Sequence, residues 1–108
     1  MNKIYLDTNI FIDILTDRKL KSISIKEIKP FLENSTIYMS TLSVHIAYYT
    51  LKIKPNSDIE NIIRNLIDLI NLVSLDSRIA NKALNSFRID FEDTLQYYSA
   101  LSKNCNYI

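Results

Sequence analysis

Four short apolar runs punctuate this chain: KIYL (3–6), TIYM (36–39), LVSL (72–75) and CNYI (105–108). Each is too short for a helix and rich in β-formers, and none alternates regularly between polar and apolar, as befits strands covered on both faces. Helical patterns of about ten residues separate them. Thr8-Asn9 offer caps for a helix with Ile10, Phe11, Ile14 and Leu15 on one face. SIKEIKPFLE (24–33) is helical, kinked or shifted by Pro30, and Ser43 caps VHIAYYTLKI. Asn56 or Ser57 begins a longer helix, in which Ile59, Ile62, Ile63, Leu66, Ile67 and Ile70 keep a 3,4 spacing and Asn71 ends the pattern. Asp76 caps SRIANKALNSF, and Asp90 caps FEDTLQYYSALSK. Strands alternating with helices predict right-handed βαβ units, hence a three-layer α/β/α domain with a short parallel sheet.

The chain has 108 residues and is 47% hydrophobic, enough for one core, so residues 1–108 are expected to form a single domain. Glycine is absent, which hands turns and helix ends to other residues, with Asn34, Asn71, Asn85 and Asn104 the natural stops. The lone Cys105 cannot form an internal disulfide and is most simply a small buried hydrophobe; a reducing, cytoplasmic setting is the expectation. Asp7 and Asp13 interrupt the most apolar N-terminal stretch, against a signal peptide, and nothing resembles a membrane span.

A formal charge of +1 supplies no global field for nucleic acid, so such binding must rest on a local site. Lys3, Arg18, Lys19, Lys21, Lys26 and Lys29 crowd the first thirty positions. They suit an RNA backbone or, more simply, a solvated helix face.

In an open parallel sheet, ligands bind beyond the carboxyl ends of the strands. Asp7 sits there, directly after the first strand, as a site carboxylate or as an acid interacting with a helix dipole. Asp90, Glu92 and Asp93 crowd the first turn of the last helix. Like charges that close raise one another's pKa unless a cation intervenes. Ordinary capping, with Asp90 as N-cap, is the competing account.

IYLDTNIFIDIL, STLSVHIAYYTLK and DFEDTLQYYSALSKNCNYI together resemble, in order and across the whole chain, the PIN-domain family. The likeness is to its VapC-like toxin ribonuclease branch, whose fold is similar to that of the 5′-nucleases. The resemblance implies a metal-dependent endoribonuclease, a hydrolase of RNA phosphodiesters, acting within a toxin–antitoxin pair. Asp7 and Asp93 match the catalytic, metal-holding acids, and Asn9 matches the residue that orients the first of them. Asp90 and Glu92 are neighbours, Asp90 within reach of the metal and Glu92 of its waters. Mg²⁺ or Mn²⁺ is the implied cofactor, and RNA, an antitoxin protein and a second copy of the chain are the implied partners.

Two departures qualify the match. Where much of the family carries a metal-site Glu after strand two, this chain has Ile46, with His45 beside it. His45 is a candidate ligand or base, or a half-buried polar residue. The segment that in the family follows CNYI, with its further acid or amide, is missing after Ile108, so a truncated or degenerate member with weak or no cleavage is expected. The rival reading is a non-catalytic PIN-like module binding RNA or protein. A receiver-like phosphoacceptor ranks behind both, because it needs a late-strand Lys. Tyr48, Tyr49, Tyr97 and Tyr98 suit base stacking or, within amphipathic helices, core and dimer packing.

Overall fold

The computed structural model describes residues 2–16, 33–86 and 90–107. Four strands form one sheet: β1 (Asn2–Tyr5), β2 (Ser35–Ser40), β3 (Asn71–Val73) and β4 (Asn106–Tyr107). Its order is β3-β2-β1-β4, and every pairing is parallel, as the alternation predicts. The register sets Tyr5 beside Tyr38 and Tyr107, and Tyr38 beside Asn71. From β1 the chain proceeds to β2 and β3 on one side, and only β4 lies on the other. The gap between β1 and β4 is therefore the switch point where α/β sheets bind ligands.

Five helices are described: α1 (Thr8–Thr16), α2 (Thr41–Leu51), α3 (Asp58–Leu69), α4 (Ser77–Leu84) and α5 (Phe91–Ser102). Successive strand side chains point to opposite faces, and here they feed two cores. Met39 joins Phe11, Leu15, Ala47 and Ile63 from α1, α2 and α3, with the isoleucines of α3 packed around them. Tyr5, Val73 and Ala100 of α5 form the second core, against which Tyr38 and the half-buried Cys105 pack. Burial raises the Cys105 thiol above its ordinary pKa, against the pull of Lys3 and Lys103.

Several helix ends differ from expectation. Asp7, not Thr8 or Asn9, opens α1: its carbonyl accepts the Phe11 N–H at 3.1 Å, and its carboxylate the Asn9 N–H at 3.2 Å. Ser40 rather than Ser43 caps α2, accepting the Leu42 N–H at 3.0 Å, because the chain turns directly out of β2. Ser43 falls inside the first turn and is buried. Asn71 does not end α3, which stops at Leu69; it starts β3, and its side-chain amide donates to the Ile37 carbonyl at 3.3 Å. Asp76 and Asp90 cap as expected, accepting the Ile79 and Asp93 N–H groups at 3.0 Å each. Most of the 24–33 helix, Arg18, Lys19, Lys21, Lys26, Lys29, Phe87 and Ile108 lie outside the described residues. No helix among the described residues is long and apolar enough to cross a membrane.

At the start of α3, Ser57 accepts the Glu60 N–H at 3.2 Å while Glu60 reaches back to the Asn56 N–H at 3.0 Å, a variant of the capping box. Glu60 also accepts from Arg64 at 3.0 Å and from the Tyr48 hydroxyl at 2.9 Å, which ties α3 to α2. The Asn56 N–H, then Arg64 and Tyr48, hold its carboxyl down at about 2, against an ordinary 4.5. A depressed carboxyl stabilises the fold fully above its unfolded value and stops doing so as pH falls through its folded value. The unmutated chain should therefore lose more melting temperature between pH 4.5 and about 2 than Glu60→Gln does. Parallel curves for the two proteins in a pH series of thermal melts would remove Glu60 from this role.

Candidate active site

The carboxyl end of β1 delivers Asp7 to the switch point, and α5 begins against it. Immediately behind Asp7 lies a set of polar side chains that a hydrophobic core would exclude unless each were hydrogen-bonded. Thr8, Ser43 and Gln96 are all buried. The Thr8 hydroxyl lies 2.8 Å from that of Ser43 and donates to Glu92 Oε1 at 3.0 Å. The Gln96 amide nitrogen faces Thr8 Oγ1 at 2.9 Å, Glu92 Oε1 at 3.1 Å and Ser43 Oγ at 3.2 Å. Its carbonyl accepts from the Tyr5 hydroxyl. Burial pushes the Tyr5 phenol up, as do the charges of Asp7 and Glu92, while Ser99 and Ser40 oppose them.

In front of this network stand the acids of α5. Asp90, Glu92 and Asp93 each bring a carboxylate oxygen within 4.8 Å of the other two. Partial desolvation, followed by the charge of Asp90 and contact with Glu92, holds the Asp93 carboxyl above its ordinary value. The charge of Asp7 adds to that shift, so it reaches Asp93 although Asp7 stands outside the tight cluster. The described residues form one ion pair, Arg64–Glu60, so no protein cation pairs with this cluster among them.

The sequence-predicted acids thus gather at one edge, but their surroundings differ. Glu92 is half-buried and held from behind, whereas Asp90 and Asp93 are exposed. Asn9 contacts Asp7 through its backbone N–H. His45 is exposed, not half-buried, so it is a solvated residue of α2, and Ile46 is half-buried. Tyr49 (82% exposed) and Tyr97 (45%) lie on the surface, while Tyr48 is half-buried and bonded to Glu60.

Fold and site describe a three-layer α/β domain with an acidic cluster at its topological switch point. Residues 4–108 match the PIN domain, and the chain belongs to that family. Among solved structures it is similar to a chain of VapBC2 from Rickettsia felis, a complex bound to a DNA fragment from its promoter. The TM-score is 0.72 at 15% identity, covering 97% of this chain and 85% of that one, a likeness of fold. No curated protein matches the sequence.

Gln96, Thr8, Ser43 and Tyr5 were not legible as site residues, although one signal was available. Gln96 and Ser99 lie on the same side of α5 as Ala100, where a purely structural helix would be apolar. Replacing Gln96 with leucine leaves buried hydroxyls short of partners and should cost about 1–3 kcal/mol. Urea unfolding of Gln96→Leu, compared with the exposed control Asn81→Leu, measures this; equal midpoints would show that the network contributes nothing.

Proposed function

We propose that this chain is a metal-dependent endoribonuclease of the PIN type, hydrolysing RNA phosphodiesters as the toxin of a toxin–antitoxin pair or as a weakened relative of one. The observation that carries this reading is the gathering of Asp90, Glu92 and Asp93 within 4.8 Å of one another, with the charge of Asp7 reaching Asp93 and no ion pair to that cluster among the described residues. Hard carboxylate oxygens in one cluster, with the charged form of Asp93 disfavoured, fit a Mg²⁺ or Mn²⁺ ion. Asp7, Asp93 and Asp90 would hold it. When bound, such an ion supplies a water of lowered pKa and neutralises charge that develops on the phosphate.

The chain's own residues do the rest. The Asn9 N–H orients Asp7 from one side, and Thr8 and Gln96 both donate to Glu92 Oε1, which fixes that carboxylate beside Asp90 and Asp93. Because the network behind it is buried, the Glu92 carboxylate is held before any ligand arrives.

The non-catalytic RNA- or protein-binding reading keeps one specific observation in its favour: α2 brings the Ser43 hydroxyl to the network, and its sequence from Thr41 to Leu51 contains no acid. Cleavage is therefore expected to be slow. A protein partner is supported by the fold's likeness to a chain of the VapBC2 complex and by exposed Tyr49, Leu84, Tyr97 and Leu101. An antitoxin or a second copy of this chain would cover such surface.

Metal linkage is the decisive test. Mn²⁺ at about a hundred times its dissociation constant should add roughly 2.7 kcal/mol, several degrees or more of melting temperature in a domain near this size. Asp93→Asn should melt at or above the unmutated metal-free protein, because a disfavoured charge is gone, yet lose most of the Mn²⁺ response. Asp7→Asn should also lose it, while asparagine keeps the helix cap. A flat response in all three proteins would sink the metal reading. Metal-dependent cleavage of an unstructured RNA that EDTA stops and Asp93→Asn lacks would establish the hydrolase; rapid turnover would show that an acid on α2 is dispensable.

A further inference from the structure

A second concavity opens between the end of β3 and helices α4 and α5, with a volume of about 560 Å³, inside the roughly 300–1,000 Å³ range of ligand pockets. Its floor includes the buried Val73 and Ile79, and its rim is cationic. Arg78 and Lys82, four residues apart and so on one face of α4, meet Lys103 at the end of α5. All three are exposed, and none is ion-paired among the described residues. The lining holds a single carboxylate, Asp76, which is already engaged in capping α4.

Helix dipoles alone do not explain this set. Lys82 and Lys103 sit at helix C-terminal ends, which favour cations, but Arg78 lies in the first turn of α4, the end that disfavours them. Three cations are thus assembled around one hollow in a chain whose net charge is only +1. Ser74 and Ser102 add exposed hydroxyls to the lining. The Tyr98 ring, half-buried with its hydroxyl bonded to Ser86, supplies an aromatic wall of the kind on which unpaired bases stack.

We propose that this cleft is a subsite for single-stranded RNA. It takes one nucleotide of the strand, with Arg78, Lys82 and Lys103 on the flanking phosphates and Tyr98 against the base. The inference rests on the reading of this chain as acting on RNA, but it places affinity on a surface separate from the carboxylates. Helix α5 joins the two regions. Ser102 lies nine residues beyond Asp93, about 14 Å along the helix axis and two and a half turns on, so the cleft and the carboxylates occupy different sides of α5.

Fluorescence anisotropy of a short labelled oligouridylate, in EDTA and over a salt series, tests this without requiring metal or cleavage. Substituting Arg78, Lys82 and Lys103 together with glutamine should weaken binding at least tenfold at low salt. The dependence of log affinity on log salt should become shallower by about 1.4, as expected for two phosphodiesters of a single strand. The charge-keeping set Arg78→Lys, Lys82→Arg and Lys103→Arg should retain most of the affinity, and circular dichroism melts should match for all variants. An unchanged affinity and salt slope in the glutamine variant overturns the subsite. So does failure of the unmutated chain to bind the oligomer, or displacement of the RNA by oligoglutamate as readily as by unlabelled oligouridylate, which would mark the cleft as a docking place for acidic protein. Loss of the Mn²⁺ response in the melting series, by contrast, would sink the nuclease reading and leave RNA binding here intact.

Discussion

The side-chain amide of Gln96 is the junction on which the site depends. A buried amide is costly unless its donors and acceptor are met, and here they are met from three directions: Tyr5 of β1, Thr8 and Ser43 at the starts of α1 and α2, and Glu92 one turn away. The two ends of the amide are not interchangeable, because its oxygen accepts from the phenol while its nitrogen donates. That polarity sets the sense of the other hydrogen bonds. Sheet, first helix and last helix are consequently referenced to one another at the point where Asp7 leaves β1.

This junction explains why carboxylates within one helical turn have different characters. Glu92 is drawn back into the hydrogen-bond network and is occupied there. Asp93 projects into a setting of its own kind, where partial desolvation and neighbouring negative charge work against ionisation. The acidic edge is thus held from behind at Glu92, while in front no ion pair offsets Asp90 and Asp93 among the described residues. A cation of the kind proposed above would relieve that setting.

Much of the architecture was legible because it depends on periodicity. Apolar runs between amphipathic segments could hardly form anything but a covered parallel sheet, and an acid directly after the first run had to emerge at its carboxyl edge. Helix starts were less legible. Ser40 and Ser43 are equally good caps by type, and only the abrupt turn out of β2 selects the first. Gln96 escaped notice because a glutamine in an amphipathic helix ordinarily faces water, and nothing local announces a phenol ninety-one residues away in sequence. Arg78, Lys82 and Lys103 were likewise invisible as a group: they are spread over twenty-six positions of sequence, and only α4 and α5 bring them to one hollow.

The lack of glycine has a consequence of another kind. Lys52, Asn56 and Asn104 all adopt left-handed backbone angles, with φ of 51°, 62° and 57°, positions that glycine would occupy without steric penalty. Each side chain adds a small native-state strain there, greatest for Lys52, which ends α2 and lacks the local hydrogen-bonding aptitude of asparagine. Yet a chain with no glycine samples fewer conformations when denatured, and so forfeits less freedom on folding. The left-handed corners of this domain are strained locally, and the disordered ensemble against which they are measured is correspondingly poorer in states.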